Sequence, residues 1–478
     1  MLSCSRISSR IAVNTLRSSG HAPCITALRA MGRRKERAGD SAPASPLLTG
    51  WRWPLVFLLV AAGAAYIYQR TTVEHHSGKN QVIVVQREKL SGRSYREVAE
   101  QRMPLILTGT VANKWKAMSS FTTSFLAQRL PFVMAHRQEK KRNFVTFHDN
   151  KPLQPLVNEK WEDFNVKINA TLPQVLGWDS EVKDPSTGPF LYFSQDITTL
   201  RSDFPDVMDH IQPLGDLILS PDDVQVNLWI GRAGIVTHTH YDCTFNFFVQ
   251  LRGRKRFTLF PPDSQLYLYP CLHPHYGHSQ VDIHAPNLSI FPEFSWTGSM
   301  VAVVGAGDML VVPPFWFHHV ETLEESVSVN VWSNAPEYAL INRIYEQPVP
   351  FEEEWTWELK GKAAKIYIEM LLQSLDVNNS FLSDLLHHRY RPVVLSGNFK
   401  VSEKALDMSE FLCNKVKWHE ETLRLSPILE RGVHLIQPLF ALISTSGTME
   451  ICLGNYVEHL LHLAVGLDYV YPFLEKCF

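Results

Sequence analysis

The sequence has little cysteine and no two cysteines in a CxxC pair. Seven cysteines are spread over 478 residues, from Cys4 to Cys477. Disulfide-dependent secreted domains carry many cysteines in a short chain, and zinc ribbons need closely spaced pairs. The sequence is therefore neither a disulfide scaffold nor a zinc ribbon. It also contains no internal repeat and no long low-complexity segment.

An excess of charge of one sign is also missing. The chain has 46 basic and 48 acidic side chains, a net charge of −2. Residues 1–70 hold ten basic and two acidic side chains, a net charge of +8, which leaves −10 for the rest. A body with that balance has no electrostatic basis for binding a polyanion, so we expect no nucleic acid partner. With 45% hydrophobic and 20% charged residues, a disordered or collagenous protein is excluded.

No hydrophobic run reaches full membrane-spanning length, but one comes close. Residues 53–68 are sixteen consecutive uncharged residues, whereas a spanning helix needs roughly 17–25. Tryptophan and tyrosine at its two ends, with Arg52 and Arg70 just beyond, are typical of a membrane interface. We predict a single-pass transmembrane helix at 53–68. A signal-peptide core and a buried helix are the alternatives.

The segment before this run is basic. Residues 1–35 carry seven basic side chains and no acid, which is typical of a mitochondrial transit peptide or a basic tail, so we interpret residues 1–50 as a disordered or targeting segment. Positive charge ahead of the anchor predicts a body in the lumen of the ER or Golgi. A mitochondrial membrane is the alternative. The glycosylation sequons at Asn169, Asn287 and Asn378 are compatible with a lumen.

Short strands are predicted in the middle of the chain. Apolar residues alternate with polar ones from Val224 to Ile230, as in a half-buried strand. Two apolar runs, 247–251 and 257–260, flank Arg252-Gly253-Arg254 and predict a hairpin. Many short strands with glycine and proline turns indicate an all-β barrel or sandwich. Further strands are predicted at 104–109, 300–304, 309–312 and 327–331.

The chain divides into regions on either side of this barrel. Residues 71–90 are mostly polar and predict a spacer, and the barrel domain extends over 91–350. Residues 352–478 carry apolar side chains at helical spacing, which predicts a helical C-terminal region. This region has two possible roles, packing on the barrel or forming an interface with a second copy or another partner, and the sequence does not decide between them.

Residues suited to catalysis occur in Thr237-His-Thr-His240-Tyr-Asp242. On an extended strand residues i and i+2 share a face, so His240 and Asp242 can direct an imidazole and a carboxylate to one point. Another histidine, His318, follows a glycine turn and the pair Pro313-Pro314. Two histidines and one carboxylate leave coordination positions open on a metal, the arrangement of non-haem Fe(II) oxygenases.

Two blocks, His240 to Pro262 and Gly307 to His319, together resemble the Jumonji-C (JmjC), cupin-8-type 2-oxoglutarate oxygenases. Within that family they are most similar to the asparaginyl hydroxylase that acts on hypoxia-inducible factor. The resemblance implies a mainly β fold, a double-stranded β-helix of the cupin or jelly-roll type, with Fe(II) bound by His240, Asp242 and His318. His318 is preferred to its neighbour because it follows Pro313 by five residues, as in the family motif.

The same resemblance implies which residues bind 2-oxoglutarate as co-substrate. Lys255 matches the lysine that receives the distal carboxylate, and a compact ammonium suits one end of a small dianion. Thr237 matches a hydroxyl donor to the same carboxylate. Asn246 and Asn330 match amides near the metal-bound end, and Tyr192 matches a tyrosine that also contacts the co-substrate.

Two functions from different classes follow. The first is a membrane-tethered Fe(II)- and 2-oxoglutarate-dependent oxygenase that hydroxylates, by analogy, a protein side chain. Demethylation of histone lysines fits less well, because the chain has an expected anchor and no reader module. The second is a catalytically inactive, membrane-tethered scaffold with a cupin fold. The complete triad together with Lys255 favours the enzyme.

Overall fold

The computed structural model describes residues 82–478 apart from several short stretches. Those left out are 140–142, 145–165, 179–187, 198–204, 213, 220–224, 273–276, 398–402, 414–417 and 444. The basic segment 1–50 and the predicted transmembrane helix at 53–68 lie outside the described residues.

β-Strands make up most of the described structure between residues 82 and 334. Their burial often alternates, as in the strand that carries Lys255, where Lys255 and Phe257 are buried and the arginines beside them are exposed. The strands are β1 Val82–Val84, β2 Arg87–Lys89, β3 Leu105–Thr108, β4 Val133–Gln138, β5 Asn143–Phe144, β6 Val166–Ala170, β7 Phe190–Asp196, β8 Gln225–Gly231, β9 Val236–His240, β10 Thr244–Arg252, β11 Arg254–Phe260, β12 Ser299–Gly305, β13 Met309–Val312, β14 Phe317–Thr322 and β15 Ser326–Asn334.

The strands form two sheets. One has six strands in the order β1-β12-β11-β14-β9-β5, and the other has nine in the order β2-β3-β13-β10-β15-β8-β7-β4-β6. Phe248 and Leu310 of the nine-stranded sheet share one buried cluster with Phe257 and Leu259 of the six-stranded sheet. The sheets therefore face each other across an apolar core, as in a cupin barrel. The mainly β barrel predicted from the sequence is confirmed.

The hairpin predicted around Gly253 is wrong. β10 pairs with β13 and β15 in one sheet, whereas β11 pairs with β12 and β14 in the other. Gly253 has φ +68°, and a Cβ there would collide with the carbonyl of Glu325. Because only glycine combines that conformation with such a close approach, the chain crosses at this point from one sheet to the other.

The spacer predicted at 71–90 also needs correction where the structure describes it. From Val82 the chain forms β1, which pairs in parallel with β12, and then β2, which pairs in parallel with β3. Each of these two strands is an end strand of its sheet. β1 consists of three exposed apolar residues and β2 of three charged ones. As end strands, both leave one backbone edge without a strand partner among the described residues.

In the described part of the chain, helices lie between and after the strands, and the longest follow residue 356. Thr356 and Thr445 begin two of them by accepting a hydrogen bond from a backbone N–H of the first turn. The helices are α1 Tyr95–Glu100, α2 Ala117–Ser120, α3 Thr123–Arg129, α4 Leu172–Leu176, α5 Pro205–Asp209, α6 Pro336–Tyr345, α7 Trp357–Ser374, α8 Phe381–Leu385, a π-helical turn Leu386–Tyr390, α9 Arg391–Leu395, α10 Glu403–Cys413, α11 Trp418–Phe440, α12 Ser446–Val465 and α13 Val470–Cys477.

The C-terminal helices share a hydrophobic core with the barrel. Tyr241, Phe315 and Phe317 of the barrel lie in the same buried cluster as Tyr367 of α7 and Leu460 of α12. A disulfide between α10 and α13, Cys413 to Cys477, has its Cα atoms 5.0 Å apart. The structure thus shows packing on the barrel, one of the two roles that the sequence left open.

No helix in the described part of the chain is both long enough and apolar enough to cross a membrane. The three longest, α7, α11 and α12, contain Lys365, Arg431 and Glu458 respectively, and ionised side chains are costly in a bilayer. The prediction of a single-pass membrane protein with a lumenal body is therefore wrong on this finding. The segment at 53–68 on which it was based lies outside the described residues.

Candidate metal centre

Two strands and a short link bring three metal-binding side chains together. His240 ends β9, Asp242 lies in the link to β10, and His318 is the second residue of β14. His240 and His318 are direct partners in the β9–β14 pairing. All three are buried, and one ligand atom from each lies within 4.8 Å of the others. The predicted triad is therefore assembled by sheet pairing.

Both histidines are oriented by the backbone in the same way. His240 Nδ1 is 2.7 Å from the carbonyl oxygen of His238, and His318 Nδ1 is 2.9 Å from that of Trp316. A carbonyl only accepts, so each Nδ1 carries the proton and each Nε2 keeps a lone pair. Burial, together with the nearby His318, lowers the pKa of His240 to about 4. The imidazole is neutral near pH 7, as a metal ligand must be.

One oxygen of the Asp242 carboxylate has a hydrogen-bond donor, and the other has none among the described residues. Oδ2 accepts a hydrogen bond from the indole N–H of Trp332 at 3.1 Å and lies 3.7 Å from His318 Nε2. Oδ1 is buried and has no hydrogen-bond partner among the described residues. A buried carboxylate oxygen without a donor is costly unless a cation binds it. This donor set therefore fits a divalent metal with open positions.

A single cavity, partly open to solvent, contains the triad. All eight residues predicted to bind metal or co-substrate line this cavity, and their individual roles stay predictions. These residues are Tyr192, Thr237, His240, Asp242, Asn246, Lys255, His318 and Asn330.

Lys255 places a buried cation in the cavity. Its side chain is fully buried on β11, and Nζ donates to the hydroxyl of Tyr192 at 3.1 Å. The ammonium also lies 5.4 Å from the ring centres of Tyr192 and Phe248. Burial lowers the pKa of Lys255 to about 7, and no carboxylate among the described residues forms an ion pair with it. A site of this kind is suited to an anionic group brought by a ligand.

The remaining predicted residues supply hydrogen-bonding groups. Asn330 accepts the indole N–H of Trp229 at 2.6 Å, and its own Nδ2 has no partner among the described residues. Asn246 Oδ1 is likewise without a described partner. Burial raises the pKa of Tyr192, against the effect of its hydrogen bond with Thr237, so the phenol stays protonated. The cavity thus offers both donors and acceptors to a polar ligand.

Two tryptophans of this site were not predicted from the sequence. The indole N–H of Trp332 donates a hydrogen bond to Asp242, and that of Trp229 donates one to Asn330. A signal was present for one of them, because Trp332 follows Asn330 by two residues on β15 and shares its face. Trp229 is on β8, and its link to Asn330 depends on the pairing of two strands that are about a hundred residues apart in the chain.

The part of the chain with the site matches a known family. The profile of the Cupin-like domain matches residues 91–337. The chain is 38% identical over 110 residues to JmjC domain-containing protein D of Dictyostelium discoideum, which covers 23% of this chain and 25% of that protein. It is 38% identical over 125 residues to Lysine-specific demethylase JMJ31 of Arabidopsis thaliana. That match covers 24% of this chain and 22% of the relative.

A longer match is to HSPB1-associated protein 1 of Rattus norvegicus, to which the chain is 30% identical over 182 residues. This match covers 34% of this chain and 37% of that protein. The matches thus span well under two thirds of these relatives. They support a 2-oxoglutarate-dependent oxygenase of the JmjC type and leave the nearer likeness to an asparaginyl hydroxylase as a prediction. With a profile match over more than half of its length, this chain belongs to the Cupin-like domain family.

Proposed function

We propose that this protein is an Fe(II)- and 2-oxoglutarate-dependent oxygenase that hydroxylates a protein side chain. The observation that carries the proposal is one cavity with a metal triad and a buried lysine. The triad is His240, Asp242 and His318, and Lys255 supplies a cation that has no described carboxylate partner. A metal site alone would fit many chemistries, whereas the added cation fits a dicarboxylate co-substrate.

The three ligands would hold Fe(II) on one face and leave the other face to ligands from solution. Bound Fe(II), with O2 and 2-oxoglutarate, supplies the oxidation of a C–H bond coupled to the conversion of 2-oxoglutarate to succinate and CO2. The two imidazoles would bind the metal through Nε2, because each Nδ1 is held by a backbone carbonyl. Oδ1 of Asp242, which has no described hydrogen-bond partner, would complete the ligand set.

Lys255 and Tyr192 would bind the distal carboxylate of the co-substrate, and Thr237 is placed beside Tyr192 to assist. Asn246 and Asn330 each present an unpaired amide atom to the same cavity, suited to the metal-bound end. The aromatic wall around Lys255 excludes water, which strengthens each of these polar contacts. The chain thereby orients the co-substrate between a cation at one end and the metal at the other.

The substrate class rests on likeness alone. Similarity to an asparaginyl hydroxylase favours a carbon atom of an amide-bearing side chain as the site of reaction. The name of the Arabidopsis relative, a lysine-specific demethylase, favours the carbon of an N-methyl group. Both reactions begin with hydroxylation at carbon. A peptide-library assay distinguishes them, because the first adds an oxygen atom to the product peptide and the second removes a methyl group.

Succinate formation tests the oxygenase. The full chain is purified without oxygen, given Fe(II), 2-oxoglutarate and air, and compared with His240→Ala, Lys255→Met and the exposed-lysine control Lys114→Met. We expect slow turnover without substrate in the wild type and in the control, and none in the other two. A wild type that binds iron but neither binds nor consumes 2-oxoglutarate would instead support the inactive scaffold.

A homodimer through the C-terminal helices is a further proposal. Ile428 and Leu435 of α11, and Leu442 just after it, are 45%, 52% and 64% exposed and recur at every seventh residue. Apolar side chains at that spacing form one stripe along a helix, which suits pairing with a second helix. Sedimentation of Leu435→Lys against wild type tests this, and a wild-type monomer would contradict it.

A further inference from the structure

A second group of metal-binding side chains lies on the other face of β14. His319 directly follows the iron-ligand candidate His318, so its side chain points away from the cavity. Glu321, two residues further on, shares the face of His319. His284 reaches this face from the connection between β11 and β12. The three side chains meet outside the oxygenase cavity.

The donor atoms of this cluster are close together. His284 Nε2 lies 2.9 Å from His319 Nε2 and 2.9 Å from a carboxylate oxygen of Glu321. Metal bonds of about 2.0–2.2 Å in a tetrahedral site separate neighbouring donors by about 3.3–3.6 Å. The donors therefore need to separate by only a few tenths of an ångström to admit an ion. His284, whose side chain is 39% exposed, can make this movement.

Hydrogen bonds from neighbouring side chains orient two of the three donors, His319 and Glu321. His319 Nδ1 is 3.3 Å from the hydroxyl of Thr239, which leaves Nε2 directed at the cluster. The second oxygen of Glu321 accepts from the guanidinium of Arg256 at 2.8 Å. Metal-binding histidines and carboxylates are commonly held by such outer contacts. The positive charge of Arg256 weakens cation binding, and it also fixes the carboxylate in place.

We propose that His284, His319 and Glu321 form a second divalent-metal site that binds Zn²⁺. Two imidazoles and one carboxylate with a fourth position open to solvent are a common zinc ligand set, and imidazole nitrogen favours zinc over the hard ions Mg²⁺ and Ca²⁺. A bound ion would tie the β11–β12 connection to β14, the strand that presents His318 to the cavity. The site would thus stabilise the strand next to the catalytic metal.

Zinc binding to the full chain tests this site separately from the oxygenase. In a His240→Ala background, which disables the cavity triad, we expect one equivalent of Zn²⁺ in equilibrium dialysis. Adding His284→Ala should weaken that binding by more than about 100-fold, since losing even an outer contact costs about 10–100-fold. Adding His284→Cys, which keeps a zinc ligand, should preserve it.

The exposed histidine His434 provides the matched control, and His434→Ala in the same background should bind zinc normally. Zn²⁺ should also raise the melting temperature of His240→Ala. It should leave the melting temperature of the double variant His240→Ala/His284→Ala unchanged. The proposal is overturned if His240→Ala binds no zinc, or if its affinity is the same with and without His284. Neither readout depends on oxygenase activity, so failure here and failure of the proposed function are separable.

Discussion

At the scale of single residues, the buried ammonium of Lys255 makes co-substrate binding depend on pH. Burial lowers its pKa to about 7, so in the free site the charged form is lost as pH rises above that value. A bound dicarboxylate favours the charged form and raises the pKa again. Binding of 2-oxoglutarate above about pH 7 must therefore take up a proton.

We expect the Kd for 2-oxoglutarate to be nearly constant below about pH 7 and to rise by up to about tenfold per pH unit above it. Calorimetry without oxygen, in buffers of different ionisation enthalpy, measures both the Kd and the proton uptake. Lys255→Arg, which stays charged throughout, should show no such rise. A wild-type Kd that does not change across this range would contradict the assignment of Lys255.

Trp332 is expected to tune the metal site through Asp242. Its indole N–H donates to Oδ2 of that carboxylate at 3.1 Å, and Trp332→Phe removes only this donor and part of the ring. We expect metal affinity to fall by about 10–100-fold, measured by dialysis with Mn²⁺ in place of Fe(II). Trp229→Phe, which loses a donor to Asn330 instead, should keep the metal affinity. Equal losses in both variants would point to general damage of the cavity.

At the scale of elements, the passage from β10 to β11 depends on one glycine. Gly253 and Gly234 both have positive φ, +68° and +85°, but only at Gly253 would a Cβ meet backbone, that of Glu325. Gly234→Ala should therefore cost about 1–2 kcal/mol of stability from conformation alone. Gly253→Ala should cost clearly more, because the carbonyl must also move. Urea unfolding of both variants measures the difference, and similar losses would contradict this explanation.

β14 illustrates how one strand can serve two sites. Alternation along the strand sends His318 into the oxygenase cavity and His319 to the opposite face. The two side chains belong to different clusters of candidate ligands. The adjacent histidines therefore do not compete for one metal, which agrees with the choice of His318 over its neighbour.

At the scale of the whole molecule, barrel and C-terminal helices are expected to fold as one unit. Tyr241, Phe260, Phe315 and Phe317 are buried in the core shared with the helices, and Tyr241 also accepts a hydrogen bond from Asn455 of α12 at 2.9 Å. Each such side chain contributes about 1.5–3 kcal/mol by burial, and the sum is comparable with the total stability of a typical domain, about 5–15 kcal/mol.

A chain that ends at Pro350 should therefore fail to give soluble, cooperatively folded protein. A chain of residues 80–478, which keeps both the barrel and the helices, is the control and should unfold in one transition. Soluble yield and circular dichroism during urea unfolding are the measurements. A stable, monomeric barrel from the shorter chain would show that the shared core is dispensable.

Much of the barrel and the candidate site was predictable from the sequence. Side chains at i and i+2 share a strand face whatever the rest of the fold does, so His240 and Asp242 were placed together by local geometry. The six more distant site residues were placed by family motifs whose spacing reflects the strand pairing. The expected hairpin failed because local turn signals do not specify which sheet receives the next strand.

By itself, therefore, the sequence determined the strand periodicity, the residues of the candidate metal triad and the lysine of the same cavity, because these depend on neighbouring residues and on motif spacing. Only the tertiary structure decided the crossing at Gly253, the support of Asp242 by Trp332 and the packing of the helices on the barrel. It alone brought His284 to His319. Each of these contacts joins residues far apart in the chain, and such pairs are set by how sheets and helices pack rather than by local pattern.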